Sequence, residues 1–370
     1  MAEARRIPEL EGLRAVLAWT VAFVHMAICV GFLGPSIHGR NLLFELAESA
    51  VDAFMLLSGF AITRLRLTAR EPLSRYFTRR AFRILPAYWV ALGVSILLLP
   101  TLIANLHHLR ATPLLTPLIE LTKVGADRFW PDLITHIFLV HGVVPQAVLP
   151  FVPFTLLGVA WTLSLEEQFY VVAPFVVRFA LKNSVARWTL FGLTIVACLY
   201  YVPIAATFSN AFLPANAAFF VAGSLSHFAL SGERSSARVL KFVILPCGLT
   251  ILLRAIGAHT VLESWLPALT WATVIGAISL DRLPRSRTLL SSALMQTLGR
   301  ISYSTYLFHM IVITIVQAVI WRASPAIGRR TLLVTTFTFS TIGTAVVSYL
   351  AWGWIERPFQ RLGRGKSLVG

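Results

Sequence analysis

Ten apolar runs of membrane-spanning length divide this 370-residue chain, near residues 13–33, 43–63, 84–104, 161–181, 187–207, 211–230, 239–257, 262–280, 302–321 and 331–354. A helix crosses a bilayer with about 20 consecutive apolar residues. Ten such helices use more than half of the chain and leave short connections, with no room for a sizeable soluble domain. The composition agrees: 57% of residues are apolar and 13% charged, where a soluble domain carries about 25% charged residues. A water-soluble globule is excluded, and so is a disordered chain, which needs low hydrophobicity. The expected architecture is all-α: a polytopic membrane protein of about ten transmembrane helices forming one domain, 1–370.

The net charge of +16 would suggest nucleic acid on a soluble protein. Here it reports topology, because cytoplasmic loops are rich in Lys and Arg. With the N-terminus placed in the cytoplasm, 23 of the 32 basic residues fall in inside segments and 8 in outside segments; Arg14 lies within the first span. Ten spans bring both termini to the same, cytoplasmic side, and no nucleic-acid partner is needed. The basic N-terminus runs into an apolar stretch without a clear small-residue cleavage site, so it reads as a retained first helix. Cys29, Cys198 and Cys247 are far apart and odd in number, making neither a disulfide framework nor a zinc site.

One stretch breaks the pattern. Residues 105–160 are apolar in patches but interrupted by Pro113, Pro117, Pro131, Pro145, Pro150 and Pro153. Proline inside a helix costs about 3 kcal/mol or more. Non-helical backbone at membrane depth survives only when buried in protein or lining a wet cavity. The segment is expected to be an external loop with re-entrant or interfacial pieces that covers a cavity; an ordinary long loop fits the pattern as well.

Ionisable residues inside spans are costly on insertion scales, about 2.5–3.5 kcal/mol each, and so mark function or pairing. In EGLRAVLAWTVAFVHM, Arg14 and His25 are eleven residues apart. Eleven helical residues turn through three revolutions plus about 20° and rise about 16 Å, so both project from one face. Arg14 then sits at the cytoplasmic mouth and His25 near mid-membrane. The simpler alternative is an arginine that snorkels and a histidine bonded to a neighbouring helix. In VDAFMLLSGF, Asp52 lies near the outer part of the second span, where it either meets His25 and fixes its tautomer or forms a structural ion pair. Ser58 is a polar cavity candidate, though Ser58–Gly59 also reads as a small-residue packing point. In RYFTRRAFRILPAYW, Arg80 and Arg83 share a helix face and, with Arg75 and Arg79, form a basic cluster. It suits a donor with several phosphates, such as a coenzyme A thioester, or equally anionic lipid headgroups. WTLSLEEQFY places Glu166 and Glu167 one turn into a span, on different faces, with Ser164 and Tyr170 as further cavity candidates. GRISYSTYLFHMIV offers Tyr303, Tyr306 and His309 as a drifting polar stripe, facing a cavity or closing bonds between helices. WIERPF reads as a helix terminator with a Glu356–Arg357 ion pair.

Nucleophile-elbow and HExxH motifs are absent. His136 and His141 are five apart and His107 and His108 adjacent, poor spacings for zinc, so no metal is expected. Gly365-Lys366-Ser367 lacks the rest of a phosphate loop.

Taken together, EGLRAVLAWTVAFVH with its Arg-x10-His pattern, DAFMLLSGF, RRAFRILPAYW with Arg-x-x-Arg, WTLSLEEQFY, GRISYSTYLFH and WIERPF resemble acyltransferase family 3 of integral membrane O-acyltransferases. The resemblance covers most of the chain; Met55 stands where members often carry Phe. It implies about ten helices in a bacterial inner membrane and an acyl-CoA donor, usually acetyl-CoA, taken from the cytoplasm. The acceptor it implies is a hydroxyl of a carbohydrate or glycosylated molecule. It makes His25 the catalytic candidate and Arg14 its partner, with Arg80 and Arg83 as donor-binding or structural residues. Asp52 or Glu167 would orient or tune His25. The chain ends soon after its last span, which corresponds to the stand-alone form without a fused hydrolase-like domain. The imidazole acts either as general base or as a covalent acyl carrier. The rival class is a secondary transporter or flippase using the same intramembrane His, Asp and Arg; such folds usually show internal repeats, and none is visible.

Overall fold

A computed structural model describes residues 7–32, 36–37, 40–69, 71–108, 123–125, 127–201, 207–231, 235–256, 261–281 and 288–365. The two chain ends and most of the proline-broken stretch before residue 123, on which parts of the topology reading bear, lie outside these residues.

Among the described residues the regular structure is helical apart from a two-residue antiparallel pairing of Ser36–Ile37 with Arg40–Asn41. The helices are α1 (Pro8–Cys29), α2 (Leu42–Ala69), α3 (Leu73–His108), α4 (Phe129–Ile137), α5 (Trp161–Ala180), α6 (Ser184–Tyr201) and α7 (Leu213–Leu230). Then come α8 (Ser236–Val239), which runs through a π turn into α9 (Leu245–Ile256), α10 (Val261–Leu280) and α11 (Ala293–Arg300). The last are α12 (Ser302–Ala323), α13 (Arg329–Ala351) and, past a second π turn at Trp352–Glu356, α14 (Arg357–Arg364). Among the described residues, helices fall within all ten apolar runs read from the sequence, and seven helices are long and apolar enough to cross a membrane. The described residues form two compact units: residues 1–17, 45–71 and 162–299, and residues 18–44, 72–161 and 300–370.

In the first unit α2 and α7 meet through glycine. A Cβ on Gly59 would run into the carbonyl of Phe220, and one on Gly223 into the carbonyl of Leu56. Small residues allow such backbone approach where lipid supplies no hydrophobic drive between helices. Ser224 Oγ, 2.8 Å from the Phe220 carbonyl and 3.2 Å from that of Gly59, closes the contact. Trp271, fully buried, bonds Ser226 Oγ at 2.9 Å, and the rings of Phe169 and Phe220 stack at 4.3 Å. Gln168 on α5 accepts from the Leu213 N–H at 2.9 Å and donates to the Ala211 carbonyl at 2.8 Å, which satisfies an orphan donor at the start of α7.

The second unit is organised by α12. Tyr303 donates to the Ile84 carbonyl of α3 at 2.9 Å, and Tyr306 to the Val159 carbonyl at 3.0 Å. Gln317 donates to the Cys29 carbonyl of α1, and Asn105 of α3 reaches the Thr314 carbonyl at 2.9 Å. Tyr303 and Tyr306 therefore close inter-element bonds in different directions. Along α13 the buried face is Leu332, Thr336, Ser340, Thr344 and Ser348, while Phe339, Ile342, Val346 and Tyr349 are exposed. Small polar groups inside and bulky apolar groups outside is the pattern expected of a helix whose solvent is lipid.

The sequence places a terminator at WIERPF, and here the structure differs. The helix continues through the π turn, and Pro358 lies at the start of α14. Glu356 is buried and accepts from Ser304 Oγ.

Between α4 and α5 the chain is irregular. Leu139, Phe151 and Leu156 all have φ between 44° and 60°, each costing an L-residue about 1–2 kcal/mol. Side chains over-determine the path. Tyr88 and Trp89 donate to the His136 and Ile137 carbonyls at 2.8 and 3.0 Å, and Ser95 to that of Leu156 at 2.6 Å. Helix α4 exposes Trp130, Ile134 and Ile137 and buries Asp132 and His136, polar side inward.

Candidate functional site

His25 lies on α1 between buried Val24 and Met26, yet keeps part of its own surface open. Its Nδ1 is 3.0 Å from the Val21 carbonyl and 3.2 Å from Nε2 of His309 on α12. The two rings are 5.1 Å apart and tilted by 35°. His309 is fully buried, with Nδ1 3.1 Å from the Thr305 carbonyl. A carbonyl only accepts, so each Nδ1 carries a proton. In neutral rings this leaves His309 Nε2 as acceptor toward His25, and His25 Nε2 with a lone pair for a reacting group. The partner bonded to His25 is a second histidine, His309.

The same unit holds the arginines. Arg80 and Arg83 sit half-buried one turn apart on α3, with Arg79 half-buried and Arg75 exposed. Helix α14 lies against them: Gly363 packs on Phe82 and Arg79, Phe359 lies 6.3 Å from Phe82, and Arg75 donates to the Arg364 carbonyl at 2.8 Å. Helix α14 thereby brings its own basic residues, Arg357, Arg361 and Arg364, alongside α3. Arg83 acts electrostatically on Glu356, whose carboxylate is held by Ser304. His309 is five residues past Ser304 on α12, a rise of about 7.5 Å.

In the first unit Glu166 is the organised carboxylate. Ser58 Oγ donates to Oε1 at 2.7 Å and Tyr170 Oη to Oε2 at 2.8 Å. Its neighbour Glu167, the sequence candidate, is half-buried on another face of α5. Gly59 packs against α7, while Ser58 bonds Glu166. Asp52 and Ser164 are buried on α2 and α5. Arg14, on the first-unit part of α1, is 3.5 Å from Glu11 one turn earlier.

Sequence spacing set aside His136 and His141, but the second unit stacks them at 4.3 Å and buries both completely. His136 Nδ1 faces the Asp132 carbonyl at 2.9 Å and His141 Nε2 the Ala160 carbonyl at 3.2 Å. Burial pushes His136 down to about 4 and His141 well below the ordinary histidine value. Burial raises the Asp132 carboxyl, with Arg128 4.0 Å away opposing. Among the described residues no group of three or more His, Cys, Asp or Glu is placed to hold a metal ion.

A family model described as an acyltransferase domain matches residues 7–353, and the chain belongs to acyltransferase family 3. Over 343 residues it is 26% identical to the exopolysaccharide production protein ExoZ of Rhizobium meliloti, covering 88% of this chain and 93% of that protein. Over 335 residues it is 26% identical to the acyltransferase MdmB of Streptomyces mycarofaciens, covering 83% and 79%. Over 396 residues it is 24% identical to the peptidoglycan O-acetyltransferase OatA of Listeria monocytogenes, covering 96% of this chain and 56% of that longer protein. No solved structure matches the chain. The protein is an acyltransferase and, with its apolar helices, a multi-pass membrane protein.

Proposed function

We propose that the protein transfers an acyl group, acetyl in the first instance, from cytoplasmic acyl-CoA to a hydroxyl of a carbohydrate or glycosylated acceptor. The observation that carries this reading is the His25 imidazole, partly open, with Nδ1 committed to Val21 and His309 and Nε2 left for chemistry. Membership in the family supports acyl transfer. The names of two relatives, an exopolysaccharide production protein and a peptidoglycan O-acetyltransferase, support a glycan acceptor.

Arg79, Arg80 and Arg83 hold the donor's phosphates, with Arg75 and α14 closing the basic cluster from the side. Arginine binds phosphate in a bidentate fork and stays charged. The thioester is carried from there toward His25. As general base, His25 Nε2 takes the acceptor's hydroxyl proton while the oxygen attacks the thioester carbonyl; the C–S bond breaks and the leaving thiolate recovers that proton. As carrier, Nε2 attacks the thioester carbonyl and the C–S bond breaks to release the thiolate; the acceptor's hydroxyl oxygen then takes the acyl group as the N–C bond breaks, Nε2 recovers its lone pair, and the hydroxyl proton ends on the thiolate. Arg14, Asp52 and Glu167 are the further candidates that the sequence offers.

The chain forms one membrane domain of about ten spans with both termini in the cytoplasm of a bacterium. The 23-to-8 basic bias supports that orientation. The segment between α4 and α5 is a re-entrant or interfacial cover. Comparative mass analysis of surface and lipid-linked glycans, with and without the protein, tests the reading. Loss of an acyl mass from one glycan class is expected; unchanged glycans, together with no thiol release from acetyl-CoA by the purified protein, would overturn it.

A further inference from the structure

We propose that His309 is the positioning residue for His25: it fixes the Nδ1–H tautomer and accepts that hydrogen bond as charge builds on the ring. The inference rests on the reading of His25 as the reacting imidazole. A neutral histidine has two tautomers, and only one presents Nε2 as a lone pair. The Val21 carbonyl, 3.0 Å from Nδ1, favours that tautomer but belongs to the same helix and is spaced for any histidine at i+4. What α1 lacks is a second acceptor from outside, and His309 supplies it at 3.2 Å.

His309 can do so only because its own Nδ1–H is spent on the Thr305 carbonyl at 3.1 Å, which leaves its Nε2 bare. It is fully enclosed and held on α12, whose neighbouring polar groups are tied by Tyr306 to the Val159 carbonyl and by Ser304 to Glu356. The ring therefore has little freedom to turn away.

A neutral partner has a chemical consequence. A carboxylate beside His25 would favour its charged form before substrate arrives. An imidazole acceptor leaves His25 neutral in the resting enzyme and stabilises it only when Nε2 has taken the hydroxyl proton. In that step the acceptor's O–H bond breaks and Nε2–H forms. The Nδ1–H bond to His309 persists, and the proton leaves on the departing thiolate, so both rings return to their starting state. This is the orienting role that completes a nucleophile–base arrangement, here built from a second imidazole.

Two measurements on the full-length protein in nanodiscs test this. In nitrogen-15 spectra of the histidine-labelled wild type, His25, assigned by its loss in His25→Asn, is expected to be protonated at Nδ1 and bare at Nε2. In acetyl-CoA turnover, His309→Phe is expected to lower kcat about 100-fold or more, the scale of a lost tautomer, with the donor KM unchanged. The pH–rate limb of His25 should shift, and His309→Gln, which keeps an acceptor oxygen, should recover part of the loss. His25 protonated at Nε2 in the wild type, or wild-type kcat per folded molecule in His309→Phe, would overturn the proposal. The wild-type spectrum decides even if the phenylalanine variant does not fold. Absence of any turnover by the wild type would count against the acyl-transfer reading and leave the tautomer result standing by itself.

Discussion

Ser58 Oγ donates to Glu166 Oε1 at 2.7 Å, a bond between residues 108 positions apart that ties α2 to α5 inside the first unit. Tyr170, one turn along α5, occupies the other carboxylate oxygen at 2.8 Å. Intramembrane hydrogen bonds average about 0.6 kcal/mol, and bonds to charged groups in proteins run about 1.5–3 kcal/mol. Ser58→Ala and Tyr170→Phe should each destabilise the protein by about 0.6–2 kcal/mol. Their double variant should be non-additive, because both bonds share one carboxylate. Reversible unfolding in mixed micelles measures this; strict additivity would mean that Glu166 does not couple them.

Gly59 and Gly223 admit no side chain. Gly59→Ala and Gly223→Ala each place a methyl against a backbone carbonyl of the facing helix, so each is expected to cost about 1–3 kcal/mol or more by forcing α2 and α7 apart. Gly353, beside which a Cβ meets open space, is the control position, and alanine there should leave the melting temperature nearly unchanged.

The arginine cluster should separate by residue. Arg80→Ala and Arg83→Ala are expected to raise the donor KM, each by about tenfold or more, the scale of one lost charge-assisted bond to phosphate. Arg75→Ala should do less, since that guanidinium is occupied by the Arg364 carbonyl. The effects should weaken in high salt. Titration of acyl-CoA turnover at two ionic strengths checks both statements.

The His136–His141 stack makes the cover between α4 and α5 sensitive to acid. Both rings are held neutral by burial, His136 down to about 4. A base with a depressed folded value stabilises fully above the unfolded value, about 6.5, and loses that stability as pH falls from there toward the folded value. The loss is about 1.4 kcal/mol per pH unit per ring. Asp132 works in the opposite sense: its carboxyl is raised by burial, so its neutral form is favoured and its penalty grows as pH rises above the ordinary aspartate range. The histidines dominate between pH 6.5 and 4. Hydrogen exchange of residues 129–160 should accelerate markedly from pH 7 to pH 5 after correction for intrinsic rates. His141→Phe, which cannot be protonated, should flatten that dependence.

The sequence made the helices legible because a membrane leaves one pattern available: apolar runs of about twenty residues separated by basic or proline-bearing joints. It also brought forward His25, His309, Arg80 and Arg83, since a charge or imidazole inside such a run is conspicuous. Pairing was not legible. Helical period says that Glu166 and Glu167 face different ways, but which one meets Ser58 depends on where α2 lies relative to α5. The same holds for His309, 284 residues from His25. The continuation through Pro358 was hidden because a π turn has no composition of its own. The His136–His141 stack was hidden because a five-residue spacing is uninformative once a tight turn, here at Leu139, brings the rings together.

The account stands most directly on thiol release from acetyl-CoA by purified wild-type and His25→Ala protein, each given an acceptor glycan pool and checked for folding. The wild type should release thiol in step with acylated glycan, and His25→Ala should fall by about 10²–10⁴-fold. Full transfer by the alanine variant would contradict a reaction centred on His25.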